Sequence, residues 1–331
     1  VRCVVDHYVT GGSTVNLCAL DVSKAFHRMN HHGLFIKLMD RLVPSTFLSV
    51  LEDWFSKCFT YVSWNCYYSS QFRLTSGVRQ GGVLSPYLFA LFIDDVVDCV
   101  SKLNFGCKFR LVNTSIVLYA DDILLLAPSR HALQILLTAC ENKLRYLDLY
   151  VNIKKSVCIR IGPRCDANCS QLVMRDGSQL PWMDSIRYLG IHIRRGRYFN
   201  CLFDNAKKSF YRSFNAVFGQ IGRLASEEVT LELVRSKCLP CLTYGLDVCP
   251  VSSSQLKSFD FTLTRVFMKI LKTKSKDVVN ECHVYFGFPT VADIIKQRKL
   301  SFLKKYSASC NSICHLFISV ALQDCNKLGY V

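Results

Sequence analysis

The sequence predicts an α+β region with an antiparallel sheet over residues 1–195, followed by an all-helical region over 196–331. Three observations carry this prediction. Tyr119-Ala120-Asp121-Asp122 lies between the apolar runs Ser115-Ile116-Val117-Leu118 and Ile123-Leu124-Leu125-Leu126-Ala127, which read as two strands joined at a hairpin turn. Asn16-Leu17-Cys18-Ala19-Leu20-Asp21 is a further short apolar strand, and it too ends in an acid. From about Tyr198 the spacing becomes helical, with starts at Ser226-Glu227-Glu228, at Ser253-Ser254 and at Thr290 behind Pro289.

The remaining elements follow in chain order. Ser23-Lys24-Ala25-Phe26 leads from the first acid into a helix. Ser85-Pro86 starts another: Ser85 suits the N-cap, Pro86 suits the first turn, and Leu88, Leu91, Phe92 and Val96 share a face. A helix is expected over His131 to Leu149, then strands over Val157-Cys158-Ile159-Arg160-Ile161 and over Ile186 to Ile193. In the helical region Phe259, Leu263, Val266, Phe267 and Ile270 repeat at the spacing of a packed core.

Composition bounds the function. The chain has 331 residues, of which 50% are hydrophobic and 20% charged, which excludes wholesale disorder and leaves room for two or three lobes. Charged residues interrupt every apolar stretch short of a membrane span, and no signal peptide is read. The opening at Val1, within sequence of folded character, leads us to expect a piece of a longer reading frame. The 18 cysteines follow no disulfide spacing and read as buried free thiols. Cys165 and Cys169, Cys238 and Cys241, and Cys310 with Cys314 and His315 each lack the partner pair that a zinc site needs. Net charge is +16, with +2 in residues 1–130 and +14 in the rest. That asymmetry suits a polyanion lying along the later part of the chain, the alternative being a solvated basic surface.

Paired carboxylates between apolar strands are costly unless a cation joins them. Mg2+ fits, being a hard cation held by one or two carboxylates and substrate phosphates. An ordinary Asp-Asp hairpin turn is the bland alternative. The second acid-terminated strand favours the metal: if Asp21 and Asp121 lie on neighbouring strands, they reach a common pair of ions about 4 Å apart, suited to in-line phosphoryl transfer.

In this order the motifs resemble those of reverse transcriptases, most closely the non-LTR (LINE-type) retrotransposon group. Leu20-Asp21-Val22-Ser23-Lys24-Ala25-Phe26 resembles that family's first catalytic motif, and Tyr119-Ala120-Asp121-Asp122 its second. Ser76-Gly77-Val78-Arg79-Gln80-Gly81-Gly82-Val83-Leu84-Ser85-Pro86 resembles its template-and-nucleotide loop. Asn152-Ile153-Lys154-Lys155-Ser156 resembles the next block, and Tyr188-Leu189-Gly190 the primer grip. The resemblance implies a right-hand polymerase palm over 1–195, with fingers largely missing, and a helical thumb and C-terminal extension over 196–331. Tyr244-Gly245, between two helices, looks more LINE-like than intron-like.

It implies roles as well. Asp21 and Asp121 would be the principal ligands of two Mg2+ ions, with Mn2+ as a substitute; Asp122 would be a third, more peripheral acid, and the Val22 carbonyl would complete one shell. Phe26 would exclude a ribose 2′-hydroxyl, or else is a core Phe. Arg79, Gln80 and Gly81 would contact nucleotide or template, although a lone Arg79 also reads as surface charge. Tyr119 would lie under the primer end. Lys155 would protonate the leaving pyrophosphate, the alternative being a solvated lysine pair with Lys154. Tyr188, Leu189 and Gly190 would form a tight turn pressing on the primer backbone, with Arg187 as a phosphate contact there.

The implied partners are an RNA template, a DNA primer or target, and dNTPs, with no membrane, inside the cell as an element ribonucleoprotein of cytoplasm and nucleus. His27 departs from the family pattern, which usually has Asp there, and a local effect is expected. No endonuclease domain or zinc knuckle is read. Two other readings compete: a truncated or decayed copy that binds nucleic acid without catalysis, and a related polymerase, either an intron-type reverse transcriptase or an RNA-copying RNA polymerase. Ala120 favours DNA synthesis by resemblance.

Overall fold

The structure, a computed structural model, describes residues 1–79, 81–222 and 224–327. The chain divides into two compact units, Val1–Gly190 with Arg194–Phe199, and Ile191–Ile193 with the residues from Asn200 onward.

The first unit is organised on a four-stranded sheet in the order Val157–Ile161, Val15–Asp21, Asp122–Ala127, Ile116–Tyr119, with every neighbour antiparallel. Val15–Asp21 is apolar apart from Asn16 and the terminal Asp21, and six of its seven residues are buried, as a strand covered on both faces requires. Period two separates its faces. Cys18, Leu20 and Val22 join Ile123, Leu125 and Ala127 in a core with Phe89, Phe92, Ile93 and Val96 of the helix Ser85–Ser101 and Leu133, Leu136 and Leu137 of the helix Arg130–Tyr146. The opposite face carries Leu17, Ala19, Leu124 and Leu126, also buried, and runs on to Asp21 and Asp122.

Three sequence expectations shift in detail. Ser85 does not cap its helix: it is the first helical residue, Leu84 holds the cap position, and the Ser85 hydroxyl donates to the Arg79 carbonyl at 2.6 Å. The expected strand Ile186–Ile193 is broken, because Leu189 and Gly190 take φ of 46° and 78° and turn the chain between Ser185–Tyr188 and Ile191–Arg194. The helix placed over His131–Leu149 runs over Arg130–Tyr146, capped by Ser129, whose hydroxyl accepts from the Ala132 N–H.

A separate ribbon lies between the helices Ser45–Ser56 and Ser85–Ser101. Phe59–Thr60 pairs with Phe72–Arg73, and Ser63–Trp64 with Tyr67–Tyr68. Asn65 and Cys66 form its two-residue turn with φ of 51° and 68°, the pair of positive values that a type I′ hairpin demands. Its root is tied to the segment after Asp21: the Gly77 N–H donates to Met29 and the Val78 N–H to Phe26. Gly77 has φ of 80°, and a Cβ there would meet the His27 carbonyl oxygen at 2.7 Å, so only glycine fits.

The second unit is mainly helical. Ser226, Ser252 and Thr290 each cap a helix through the side-chain oxygen, and Ser252 forms a capping box with Gln255. Phe259, Leu263, Val266, Phe267 and Ile270 are buried along one helix, as their spacing predicted. All 18 cysteines are free. Nine are buried, among them Cys18, Cys58 and Cys140, whose thiol burial pushes up to about 12, but Cys99 is half-buried and Cys66 and Cys310 are exposed, so the expectation of buried thiols holds for half of them. No described helix is long and apolar enough to cross a membrane.

Candidate active site

The site forms where the central sheet runs out of apolar residues. Asp21 and Asp122 are register partners across adjacent antiparallel strands. The Asp21 N–H donates to the Ser156 hydroxyl at 3.1 Å and its carbonyl accepts from the Asn152 N–H at 2.7 Å, both on the side away from Asp122. Asp21 and Asp122 therefore face each other as a non-hydrogen-bonded pair, the arrangement that brings opposing side chains closest. Like charges so placed repel. Burial, then Asp121 and Asp21, raise the Asp122 carboxyl above its ordinary range, and Arg187 partly offsets this.

Asp121 lies one residue before Asp122, in the turn. Its neighbour Ala120 has φ of 53°, a region that L residues other than Asn and Asp seldom enter. Backbone strain therefore sits at the acidic turn. Val22 alternates with Asp21. The Ser23 N–H donates to Tyr150 on the far side, so the Val22 N–H and carbonyl point toward the acidic hairpin.

Asp21, Asp122, Lys155, Arg187 and the Tyr188-Leu189-Gly190 turn line an open cleft of about 440 Å³. Lys155 is largely exposed, and its Nζ lies 3.9 Å from Asp21 Oδ2. Tyr188 is buried, its hydroxyl has no hydrogen-bond partner, and burial together with Asp122 pushes its phenol up. The turn at Leu189-Gly190 closes the cleft wall.

Of the other expected site residues that the structure describes, Val22, Phe26, Arg79, Gly81, Tyr119 and Asp121 stand outside the cleft lining. Phe26 is half-buried and stacks on Phe89 with ring centroids 4.5 Å apart. Arg79 donates to the Phe59 carbonyl at 3.3 Å, and Gly81 takes φ of 84°. Tyr119 is exposed and is the register partner of Asp122. Gln80 lies outside the described residues.

Sequence reasoning assigned no role to Ser156, the buried residue that fixes the strand end. Its hydroxyl accepts from the Asp21 N–H and donates to the Asn152 carbonyl. A serine between a lysine pair and an apolar strand was the available signal.

Among the described residues no three His, Cys, Asp or Glu side chains form a metal cluster on their own. The donor set still fits Mg2+, which uses one or two carboxylates and completes its shell with water and substrate phosphate. Two facing carboxylates, one of them raised by burial and then by its acidic neighbours, and a backbone carbonyl directed to the same side are hard oxygen donors in need of positive charge.

Residues 7–193 match the family described as reverse transcriptase (RNA-dependent DNA polymerase), over more than half of the chain and every candidate site residue. The chain belongs to that family, and its relatives place it in the non-LTR (LINE-type) retrotransposon group. It is 25% identical over 309 residues to the RNA-directed DNA polymerase from mobile element jockey of Drosophila melanogaster, covering 89% of this chain and 32% of that protein. It is 27% identical over 257 residues to the Pol polyprotein from type-1 retrotransposable element R2 of Popillia japonica, covering 75% and 35%. The chain thus spans about a third of the length of these curated relatives. Among solved structures it is similar to apo telomerase from Candida tropicalis, at 14% identity and a TM-score of 0.46 over 90% of this chain and 48% of that one.

Proposed function

We propose that the chain is the polymerising part of a LINE-type reverse transcriptase, which transfers a nucleotide from a dNTP to a primer 3′-hydroxyl as an RNA template directs. The observation that most supports this is the facing pair Asp21 and Asp122, one residue from the strained acidic turn, in a chain of this family. Two Mg2+ ions, or Mn2+ in their place, would supply the positive charge that lowers the pKa of the primer hydroxyl and neutralises the triphosphate. Asp21 and Asp121 would be their principal ligands, with Asp122 and the Val22 carbonyl completing the donor set.

The rest of the site positions substrate. Arg187, which lines the cleft with Asp122, would receive a phosphate. Lys155 is exposed on a long stem and is the group available to protonate a leaving pyrophosphate. Phe26 is backed by Phe89, so it has little room to yield to a ribose 2′-hydroxyl. Arg79, Gln80 and Gly81 belong to the nucleotide and template side, and Tyr119 with the Tyr188-Leu189-Gly190 turn to the primer side. The partners are an RNA template, a DNA primer or target and dNTPs, within an element ribonucleoprotein of cytoplasm and nucleus.

The test is primer extension on an RNA template with Mg2+ and dNTPs, run beside Asp121→Asn. Extension that the variant lacks is expected. Salt-sensitive template binding with no extension by the unsubstituted chain would overturn catalysis in favour of a binding fragment, and preference for NTPs would overturn DNA synthesis.

A further inference from the structure

The ribbon over residues 59–73 carries a surface that the polymerisation site does not use. Trp64 and Tyr67 are 80% and 81% exposed, and Phe59, Tyr61, Tyr68 and Phe72 are exposed beside them. Trp64 and Tyr67 are register partners, so they share one face of the hairpin. Tyr61 and Tyr68 meet edge to face at 5.2 Å. Small polar residues separate the rings: Thr60, Ser63, Asn65, Ser69, Ser70 and Gln71.

Charge narrows what such a surface fits. From Trp54 to Ile93 the sequence holds Lys57, Arg73 and Arg79 and no Asp or Glu. Lys57 pairs with Asp53 at the root, which leaves Arg73 on the ribbon and Arg79 bonded to its base. A phosphate chain would meet no carboxylate along this stretch. Val62 is the only aliphatic residue from Phe59 to Arg73, so flat rings make up nearly all of the apolar surface of the ribbon. Rings that lie open, spaced by hydrogen-bonding side chains, with Arg73 among them and no carboxylate on the ribbon itself, are the make-up of a platform on which unpaired bases stack.

From this we infer that the ribbon binds single-stranded nucleic acid by stacking bases on Trp64 and Tyr67, with Arg73 at the phosphate backbone. If the reading of the site as a reverse transcriptase holds, the strand is unpaired template. The ribbon root hydrogen-bonds to Phe26 and Met29, a few residues after Asp21, so a strand held there runs close to the catalytic strand end.

Fluorescence anisotropy with labelled oligo(A) RNA and with a blunt RNA–DNA duplex tests this, on the whole chain and on Trp64→Ala/Tyr67→Ala. Both side chains are exposed, so the melting temperature should hold within a degree or two, and a melt run alongside checks it. The expected result is about a tenfold loss of affinity for oligo(A) per ring removed, with duplex affinity unchanged. Arg73→Ala should instead lower the salt dependence of oligo(A) binding by about one counterion. Equal binding of oligo(A) by the double variant would overturn the ribbon assignment and leave the polymerase reading standing. Failure of the unsubstituted chain to bind either probe would count against both. Sedimentation showing a dimer that the double variant dissociates, with oligo(A) binding unaltered, would assign the surface to a second copy of the chain.

Discussion

The hairpins at Ala120-Asp121 and at Asn65-Cys66 are built alike and supported differently. Both turn in two residues, and both place residues other than glycine at positive φ. The first stands on a four-stranded sheet whose central strands, Val15–Asp21 and Asp122–Ala127, are buried on both faces and backed by two helices. The second stands on ladders of two residues each, with its rings in solvent. The sheet fixes the acidic turn against repulsion and strain, as a site that positions reacting atoms requires. One turn holds carboxylates that repel until charge arrives, and the other presents surface that gains nothing until it is covered.

The largest effect expected on this contrast is catalytic. Asp121→Asn should lower primer extension by about a hundredfold or more while the fold stays intact, because it removes a charged donor from a preorganised site. Circular dichroism and a melting curve run alongside would expose a folding defect instead. Next, Leu125→Ala removes a fully buried side chain beneath the acidic turn and should cost about 2–5 kcal/mol in a denaturant titration. Trp64→Ala should change stability by no more than about 0.5 kcal/mol. Similar losses at the two positions would mean that the ribbon is as structural as the sheet.

A smaller effect concerns the turn itself. Ala120→Gly relieves a positive φ and should stabilise by about 0.5–1 kcal/mol, after allowing for the greater freedom of glycine in the unfolded chain. Cys66→Gly should gain a similar amount at the ribbon, and a gain at only one turn would show where the strain is held. The smallest effect is electrostatic. The folded state raises the Asp122 carboxyl, so its contribution to stability is greatest below the unfolded carboxyl range and is lost as pH rises through the folded value. Asp122→Asn should therefore raise the melting temperature at neutral pH by an amount worth about 0.5 kcal/mol, reduced by solvent screening at this partly exposed site. The gain should vanish at acidic pH, and a gain that persists there would trace to packing.

Much of this was legible in the residues. Ser226 and Thr290 mark helix starts because a cap is a local hydrogen bond to the next turn, and the structure shows both. The acidic hairpin was legible because two apolar runs flank two residues that do not belong in a core. Ser85 misled, since a serine before Pro86 looks the same whether its hydroxyl turns to its own helix or to the Arg79 carbonyl. The resemblance read Tyr188-Leu189-Gly190 as a tight turn, and the structure turns the chain there, whereas the residue pattern alone ran a strand through it because the residues on both sides suit a strand equally well.

By itself the sequence determined that acids end two apolar strands and that one hairpin turns between Tyr119 and Asp122. Alternation along a strand is a local property, read from side-chain period alone. Only the tertiary structure decided that Asp122 is the residue opposite Asp21, that Ser156 and Asn152 pin the strand end, and that Lys155, Arg187 and Tyr188 share its cleft. Register between strands distant in the chain is set by which faces bury together against the helices, and a one-residue slip would turn every side chain of the strand to the other face.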